Sequence, residues 1–139
     1  METGQVGRRF TVIASLAFAL VTVVHIDASA VSTMPVGAAR HGDCTGVSSW
    51  RLRVVSLPTA ELRVRFLVSG GDEGQTWNVY LDRDGVGFFT GSRESGVAGL
   101  VRVRQRISDL PGEEVIRAAG HNVLTGEVCR GRVRARSLQ

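Results

Sequence analysis

Apolar and polar side chains alternate along several stretches of the chain after residue 48. In the clearest run, Leu62, Val64, Phe66 and Val68 are set against Arg63 and Arg65. Successive side chains of a β-strand point to opposite faces of a sheet, so this alternation is typical of strands buried on one face. No stretch after residue 31 has the apolar spacing of an amphipathic helix. The pattern therefore predicts an all-β fold.

Seven such strands are predicted, with turn sequences between them at intervals of about 8–12 residues. Their approximate positions are residues 48–54, 62–68, 77–81, 86–90, 101–107, 115–122 and 127–136. Pairs such as Asp84-Gly85 and Thr125-Gly126 favour hairpin turns, because glycine adopts positive φ without strain. We predict one antiparallel β-sandwich domain over residues 44–139. A small β-barrel is the alternative, since alternation alone does not distinguish a closed sheet from two packed sheets.

The N-terminal segment has the order of a secretory signal peptide. Arg8 and Arg9 precede fifteen uncharged residues, 10–24, and Ala28-Ser29-Ala30 matches a cleavage site. The uncharged run is shorter than the roughly 18–20 residues that span a bilayer. We expect residues 1–30 to be a signal peptide and the protein to be secreted, with an uncleaved anchor as the alternative. Residues 31–43 show neither strand nor helix periodicity and are predicted to be a flexible tether.

Two cysteines, Cys44 and Cys129, are too few for a disulfide-rich scaffold, a zinc ribbon or an iron–sulfur site. In an oxidising compartment they are expected to pair with each other. Closing so long a loop would stabilise the fold by about 4–5 kcal/mol through the lost chain entropy of the unfolded state. The alternative is two free thiols.

Several function classes are excluded or disfavoured by the residues present. All 17 basic residues are arginine, which excludes lysine chemistry. No nucleophile elbow, phosphate-binding loop or dinucleotide fingerprint occurs, and His41 and His121 lack metal-ligand spacing. The Asp82-x-Asp84-Gly85 segment fails the calcium-loop pattern and is interpreted as a hairpin turn. We predict no catalytic residue, no metal and no cofactor; a hydrolase site assembled only in space is the alternative.

Residues 110–118, His121-Asn122 and Thr125-Gly126 resemble the E–F corner and F strand of immunoglobulin-like and fibronectin type III-like sandwiches. Trp77 lies where those folds place a buried tryptophan. The chain departs from them in having no tyrosine before that strand and no cysteine pair joining strands B and F. The early Cys, the Trp strand and the stretch Thr125-Gly126-Glu127-Val128-Cys129 also resemble small secreted sandwich proteins of high-GC Gram-positive bacteria. These resemblances imply a fold and no activity.

Arginines occupy the polar side of three predicted strands: Arg51, Arg53, Arg63, Arg65, Arg102, Arg104 and Arg106. In an immunoglobulin-like topology these strands correspond to A, B and E and share one sheet. One interpretation is solubility, because outward positions need polar residues and a GC-rich genome supplies arginine. The other is a polyanion-binding face, because like charges across a sheet destabilise it and arginine pairs bidentately with phosphate and carboxylate. Arg132, Arg134 and Arg136 add a further basic edge.

From these features we expect a secreted, non-enzymatic protein that binds anionic cell-envelope polymers or a membrane surface through the arginine-rich sheet face. Nucleic acid is disfavoured, because most aromatic residues occupy inward or turn positions. One alternative is a small-molecule carrier, since size and export resemble those of enediyne-binding apoproteins, although two short-loop disulfides are missing. The other is a secreted protein inhibitor acting through residues 70–74 or 91–99. No sequence pattern specifies the oligomeric state.

Overall fold

A computed structural model describes residues 37–136, and the predicted signal peptide lies outside this range. The described chain consists of β-strands and one 3₁₀ turn, Val97–Gly99. The strands are β1 (Gly37–Asp43), β2 (Ser49–Leu57), β3 (Glu61–Ser69), β4 (Thr76–Arg83), β5 (Val86–Glu94), β6 (Val101–Ser108), β7 (Glu113–Asn122) and β8 (Val128–Arg136). No helix within residues 37–136 has the length and apolarity to cross a membrane.

Two four-stranded sheets form the domain. Sheet I has the order β1-β2-β3-β6 and sheet II the order β5-β4-β7-β8, and all neighbouring strands are antiparallel. The all-β prediction and the β-sandwich are thereby confirmed, and the barrel alternative is wrong for the described residues. The strand count differs from the prediction, because eight strands form where seven were expected.

The additional strand is β1, so the tether prediction is wrong for residues 37–43; residues 31–36 lie outside the described range. β1 is an edge strand that pairs with β2 from Gly37↔Val55 to Asp43↔Ser49. It escaped prediction because none of its inward positions, Ala38, Arg40 and Gly42, carries a large apolar side chain. A Cβ atom on Gly42 would lie 3.1 Å from the Trp50 ring, so a larger residue there would require the indole to shift by a few tenths of an ångström.

The core fills the space between the two sheets with the alternating side chains. The buried members include Leu52, Val54, Leu62, Val64, Phe66 and Val68 from sheet I and Trp77, Val79, Leu81, Ile116 and Ala118 from sheet II. Each large aliphatic or aromatic side chain buried in this way contributes about 1.5–3 kcal/mol. Gly131 of β8 provides room for Trp50, because a Cβ atom there would lie 2.5 Å from its ring.

The predicted Cys44–Cys129 disulfide is confirmed and connects the end of β1 in sheet I to β8 in sheet II. Beside it, Thr45 N donates to Val128 O at 2.9 Å and Val128 N donates to Thr45 Oγ1 at 2.8 Å. The buried Glu127 carboxylate accepts hydrogen bonds from Ser48 N at 2.7 Å and Ser48 Oγ at 3.1 Å. The Thr-Gly-Glu-Val-Cys stretch therefore ties the two sheets together at one end of the sandwich.

Two glycine-containing loops meet at the same end. Gly70 N donates to Ala98 O at 2.8 Å, and Gly74 N donates to Ser95 O at 2.7 Å. Gly99 has a φ of +66°, and a Cβ atom there would collide with the backbone of Gly71. The second loop is shorter than predicted, because residues 91–94 belong to β5.

A candidate polyanion-binding face

The seven predicted arginines lie at the outward positions of three adjacent strands, with β3 between β2 and β6. Their cross-strand register forms three rows. The first row is Arg51, Leu67 and Arg102, the middle row is Arg53, Arg65 and Arg104, and the third row is Val55, Arg63 and Arg106. We call these nine residues the arginine face. Arg63 and Arg65 are half-buried and the other five arginines are exposed.

Like charges meet directly across the strands of this face. Arg65 lies opposite Arg53 on one side and Arg104 on the other, and Arg63 lies opposite Arg106. Each directly opposed pair of like charges destabilises a sheet by a few tenths to about 1 kcal/mol. The fold therefore holds these arginines close together although their charges repel one another.

Arg65 is the centre of this repulsion. Its pKa is lowered from the ordinary guanidinium value, first by desolvation and then by the charges of Arg104, Arg63, Arg53 and Arg102. Its Nε atom is buried without a hydrogen-bond partner among the described residues. A guanidinium keeps its proton at neutral pH, so proton loss does not relieve the repulsion. An anion bound beside Arg65 would relieve it.

Carboxylates are scarce around the face. Arg106 Nη1 lies 3.7 Å from Glu61 Oε2, in a pair whose side chains are both well exposed. The same Oε2 accepts a hydrogen bond from Thr59 Oγ1 at 2.8 Å. Within residues 37–136 the remaining six arginines of the face form no ion pair. The positive potential of the face is therefore largely uncompensated.

Two shallow depressions, open to solvent, lie along the face. The first, the Leu67 cleft, has a volume of about 210 Å³ and is lined by Arg51, Arg53, Arg65, Arg102, Arg104, Phe66 and Leu67. The second, the Gln105 cleft, has a volume of about 420 Å³ and is lined by Arg63, Arg65, Arg104, Arg106 and Gln105. Arg65 and Arg104 belong to both clefts. Each cleft surrounds an open volume with at least four guanidinium groups.

The sequence prediction did not include Leu67 and Gln105. Leu67 occupies an outward position between Arg51 and Arg102. In the sequence this position is marked by the run Phe66-Leu67-Val68, because three consecutive apolar residues interrupt the alternation. Gln105 faces Val64 across β3 and β6, at a position where the alternation predicts an inward side chain. Gln105 nevertheless contributes to the lining of the cleft between Arg104 and Arg106, and its side chain is half-buried.

The outer face of sheet II is also basic but is partly compensated, because three of its arginines are paired with carboxylates. Arg117 Nη1 lies 3.2 Å from Asp82 Oδ1. Glu113 lies 3.4 Å from Arg134 Nη1 and 3.5 Å from Arg136 Nε. The predicted basic edge along β8 is therefore exposed, and two of its three predicted members are paired with a carboxylate.

Several other polar groups of the described residues have structural partners, whereas Asp109 Oδ1 and Glu114 Oε2 are buried without one. The hydroxyls of Ser48, Ser92 and Ser95 donate to Glu127, Asn78 and the Asp72 carbonyl. The Asp82–Gly85 segment is a hairpin turn, with Gly85 N donating to Asp82 Oδ1 at 2.9 Å. Within residues 37–136 no three His, Cys, Asp or Glu side chains form a group suited to a metal ion.

Comparison of the chain with known protein families, with curated proteins and with solved structures finds no match. The geometry and charge of the arginine face are consequently the features from which a function can be inferred.

Proposed function

We propose that this protein is a secreted, non-enzymatic binding protein that holds anionic cell-envelope polymers on its arginine face. The observation that carries the proposal is the concentration of seven outward arginines on three adjacent strands with one long ion pair among them. Guanidinium groups form bidentate hydrogen bonds with phosphate and carboxylate. A polymer that carries many such groups offsets the repulsion within the face when it binds.

Secretion is part of the same proposal. The predicted signal peptide lies outside the described residues, and the disulfide between Cys44 and Cys129 is compatible with an oxidising compartment. An envelope polymer would be the nearest abundant polyanion for a protein exported in this way.

We also propose an immunoglobulin-like topology of the fibronectin type III kind. The order β2-β3-β6 corresponds to strands A-B-E, and the order β5-β4-β7-β8 corresponds to C′-C-F-G, with β1 as an added edge strand. The buried Trp77 on β4 supports this assignment, because strand C carries the core tryptophan of immunoglobulin domains. In this topology the arginine face is the outer surface of the A-B-E sheet.

The test is retention on an immobilised anionic polymer at rising salt. We expect binding to weaken steeply with ionic strength, because exposed charges are screened beyond a Debye length of about 10 Å at 0.1 M salt. The variant Arg63→Ser plus Arg104→Ser removes one charge shared by both clefts and one from the Gln105 cleft. We expect it to lower the affinity at least tenfold.

The matched control is Arg130→Ser plus Arg132→Ser on β8. Both side chains are exposed and form no ion pair within the described residues, so this variant has the same net charge as the first. Equal losses in the two variants would show that net charge alone drives binding and would overturn the proposal. Vesicles of anionic lipid serve as a separate arm, since tighter binding to them than to any soluble polymer would reassign the partner to a membrane surface.

The alternatives from the sequence draw less support from the described residues. A small-molecule carrier needs an internal apolar pocket, whereas the inward positions of both sheets are filled by side chains with almost no exposure. A protein inhibitor needs a protruding loop, whereas residues 70–74 are hydrogen-bonded to residues 95–98. Incubation with a panel of proteases tests the latter directly.

A further inference from the structure

The two clefts of the arginine face follow one another along the strands. The Leu67 cleft lies between the first and middle rows, and the Gln105 cleft lies between the middle and third rows. Successive rows are two residues apart on each strand, which is roughly 6.4–6.8 Å in a β-strand. Two anions seated in the clefts would therefore be separated by roughly this distance, along the direction of β3 and β6.

A single ligand is favoured over two independent anions. Arg65 and Arg104 line both clefts, and the buried Nε of Arg65 has no partner among the described residues. Two separate anions would compete for these shared donors and repel each other, whereas anionic groups joined by a covalent linker bind the second cleft at high effective concentration.

The linker length follows from elementary covalent geometry. Two residues of an extended peptide contain six backbone bonds and span roughly 6.6–7.2 Å. A phosphodiester chain whose phosphates are joined through a three-carbon polyol also contains six backbone bonds in each repeat. Its extended repeat therefore matches the spacing of the rows. Condensed polyphosphate has only two bonds per phosphate and does not match.

Single-stranded nucleic acid also has six backbone bonds per phosphate, but the face lacks the groups that bind bases. None of the outward positions of β2, β3 and β6 is aromatic, and Phe66 is buried. Binding of single strands normally adds aromatic side chains on which the bases stack. Leu67, at the floor of its cleft, instead offers an apolar contact for a short carbon linker.

We infer that the arginine face selects a polyol phosphodiester chain that lies along β3 and β6, with successive phosphates in the Leu67 and Gln105 clefts. This inference rests on the proposed function, because it names the polymer class that the same face binds. The phosphodiester supplies one negative charge and two free oxygens to each cleft, which suits the paired donors of arginine.

The test compares two synthetic phosphodiester oligomers that carry equal numbers of phosphates. Neighbouring phosphates are joined through glycerol in the first and through a six-carbon linker in the second. Affinities are measured by calorimetry at fixed ionic strength, with inorganic phosphate as the single-site reference. We expect the glycerol phosphate oligomer to bind roughly two- to threefold more tightly than the six-carbon oligomer, because its repeat matches the spacing of the rows, whereas a longer flexible linker lowers the effective concentration of the second phosphate.

Two single-residue variants test the contribution of each cleft by itself. Arg102 lines only the Leu67 cleft and Arg63 lines only the Gln105 cleft. We expect Arg102→Ser and Arg63→Ser each to remove the preference between the two oligomers, because each variant weakens one of the two clefts that the shorter repeat joins. Arg130→Ser on sheet II serves as the control and is expected to retain the preference.

The outcomes distinguish this inference from the proposed function. Equal binding of both oligomers, with loss in the Arg63→Ser plus Arg104→Ser variant, overturns the spacing argument and leaves the proposed function intact. Tighter binding of oligo-deoxythymidine or of a polyuronate than of glycerol phosphate also overturns the inference and reassigns the polymer class. Absence of binding to every polyanion overturns both.

Discussion

The two outer faces of the sandwich carry similar arginines in different surroundings. On sheet I, seven arginines share one ion pair of 3.7 Å within the described residues. On sheet II, the outward arginines of β7 and β8 are Arg117, Arg130, Arg132, Arg134 and Arg136. Three of these five form ion pairs of 3.2–3.5 Å with Asp82 or Glu113.

The difference lies in the placement of the acids rather than of the arginines. A need for solubility, met by arginine in a GC-rich genome, would act on both faces alike. Sheet II nevertheless places Glu113 opposite Arg136 and Asp82 opposite Arg117. The outward acids of sheet I lie at strand ends: Glu61 begins β3, and Asp43 ends β1 opposite Ser49 and forms no ion pair within residues 37–136. This asymmetry favours the binding interpretation of the sheet I arginines over the solubility interpretation.

The largest expected effect comes from placing an acid at the centre of the arginine face. Arg65→Glu replaces two directly opposed like-charge pairs, with Arg53 and Arg104, by opposite-charge pairs. We expect polymer affinity to fall at least a hundredfold while the free energy of unfolding rises by about 1–2 kcal/mol. Calorimetric binding and urea denaturation measure the two quantities.

The control for this exchange is Arg130→Glu, which makes the same charge change opposite the small residue Ala119. It should leave the stability nearly unchanged and lower polymer affinity only a few fold. If Arg65→Glu proves less stable than the original protein, the arginine face is not under repulsion and the comparison of the two faces fails.

A smaller effect is expected from salt alone. Raising sodium chloride from about 20 mM to about 500 mM should increase the free energy of unfolding by about 1 kcal/mol, because screening weakens the repulsion among the face arginines. Arg65→Ser should flatten this dependence, and Arg130→Ser should preserve it. Identical salt dependence in both variants would place the repulsion elsewhere in the molecule.

A third prediction removes the compensation from sheet II. Glu113→Gln leaves Arg134 and Arg136 without their carboxylate, so the edge along β8 comes to resemble sheet I. We expect a loss of at most about 1 kcal/mol in stability, because exposed ion pairs contribute little. Polymer affinity should rise two- to threefold.

Glu73→Gln is the matched control, since Glu73 is an exposed loop residue without an ion pair in residues 37–136. An equal gain in polymer affinity for Glu73→Gln would mean that the protein responds to net charge rather than to the compensation of a face.

The smallest effect concerns Glu114, a buried acid at the beginning of β7, which is an inner strand of sheet II. Burial raises the pKa of Glu114 above its ordinary 4.5, and the charge of Arg83, 3.1 Å away, opposes the shift. At pH values between the pKa of Glu114 in the unfolded chain and its higher pKa in the folded protein, the folded protein binds more protons than the unfolded chain. The free energy of unfolding therefore falls as pH rises through this range. Glu114→Gln should reduce that decline, measured by urea denaturation from about pH 4.5 upward. An unchanged pH profile would contradict the shift.

Much of the fold was predictable because the side-chain period of a strand is a local property. Ile116 and Ala118 were expected inside and Arg117 outside, and the structure has them so. β1 was not predictable from alternation, because Ala38 and Gly42 are small where an inward strand residue is usually large. At Gly42 the small size follows from Trp50, which lies directly opposite on the neighbouring strand β2.

The candidate site also combines features that the sequence predicts with features that only the tertiary structure sets. Strand alternation predicted the outward direction of all seven arginines, and the resemblance to immunoglobulin-like folds supplied the expectation that their strands are neighbours. Nothing local to β3 or β6 specifies that Arg65 lies opposite Arg104, or that both residues line two clefts. Leu67 interrupts the alternation, and its importance is visible only once Arg51 and Arg102 lie on either side of it.

The amino-acid sequence by itself determined the alternation of inward and outward side chains along seven strands and the one possible cysteine pair, because alternation acts between adjacent residues and the chain has only two cysteines. The tertiary structure decided the strand order, the cross-strand register, the pairing of β1 and the position of each carboxylate relative to each guanidinium. These depend on contacts between segments that are far apart in the chain, and the register of an antiparallel pair is set by packing across the whole sandwich rather than within one strand.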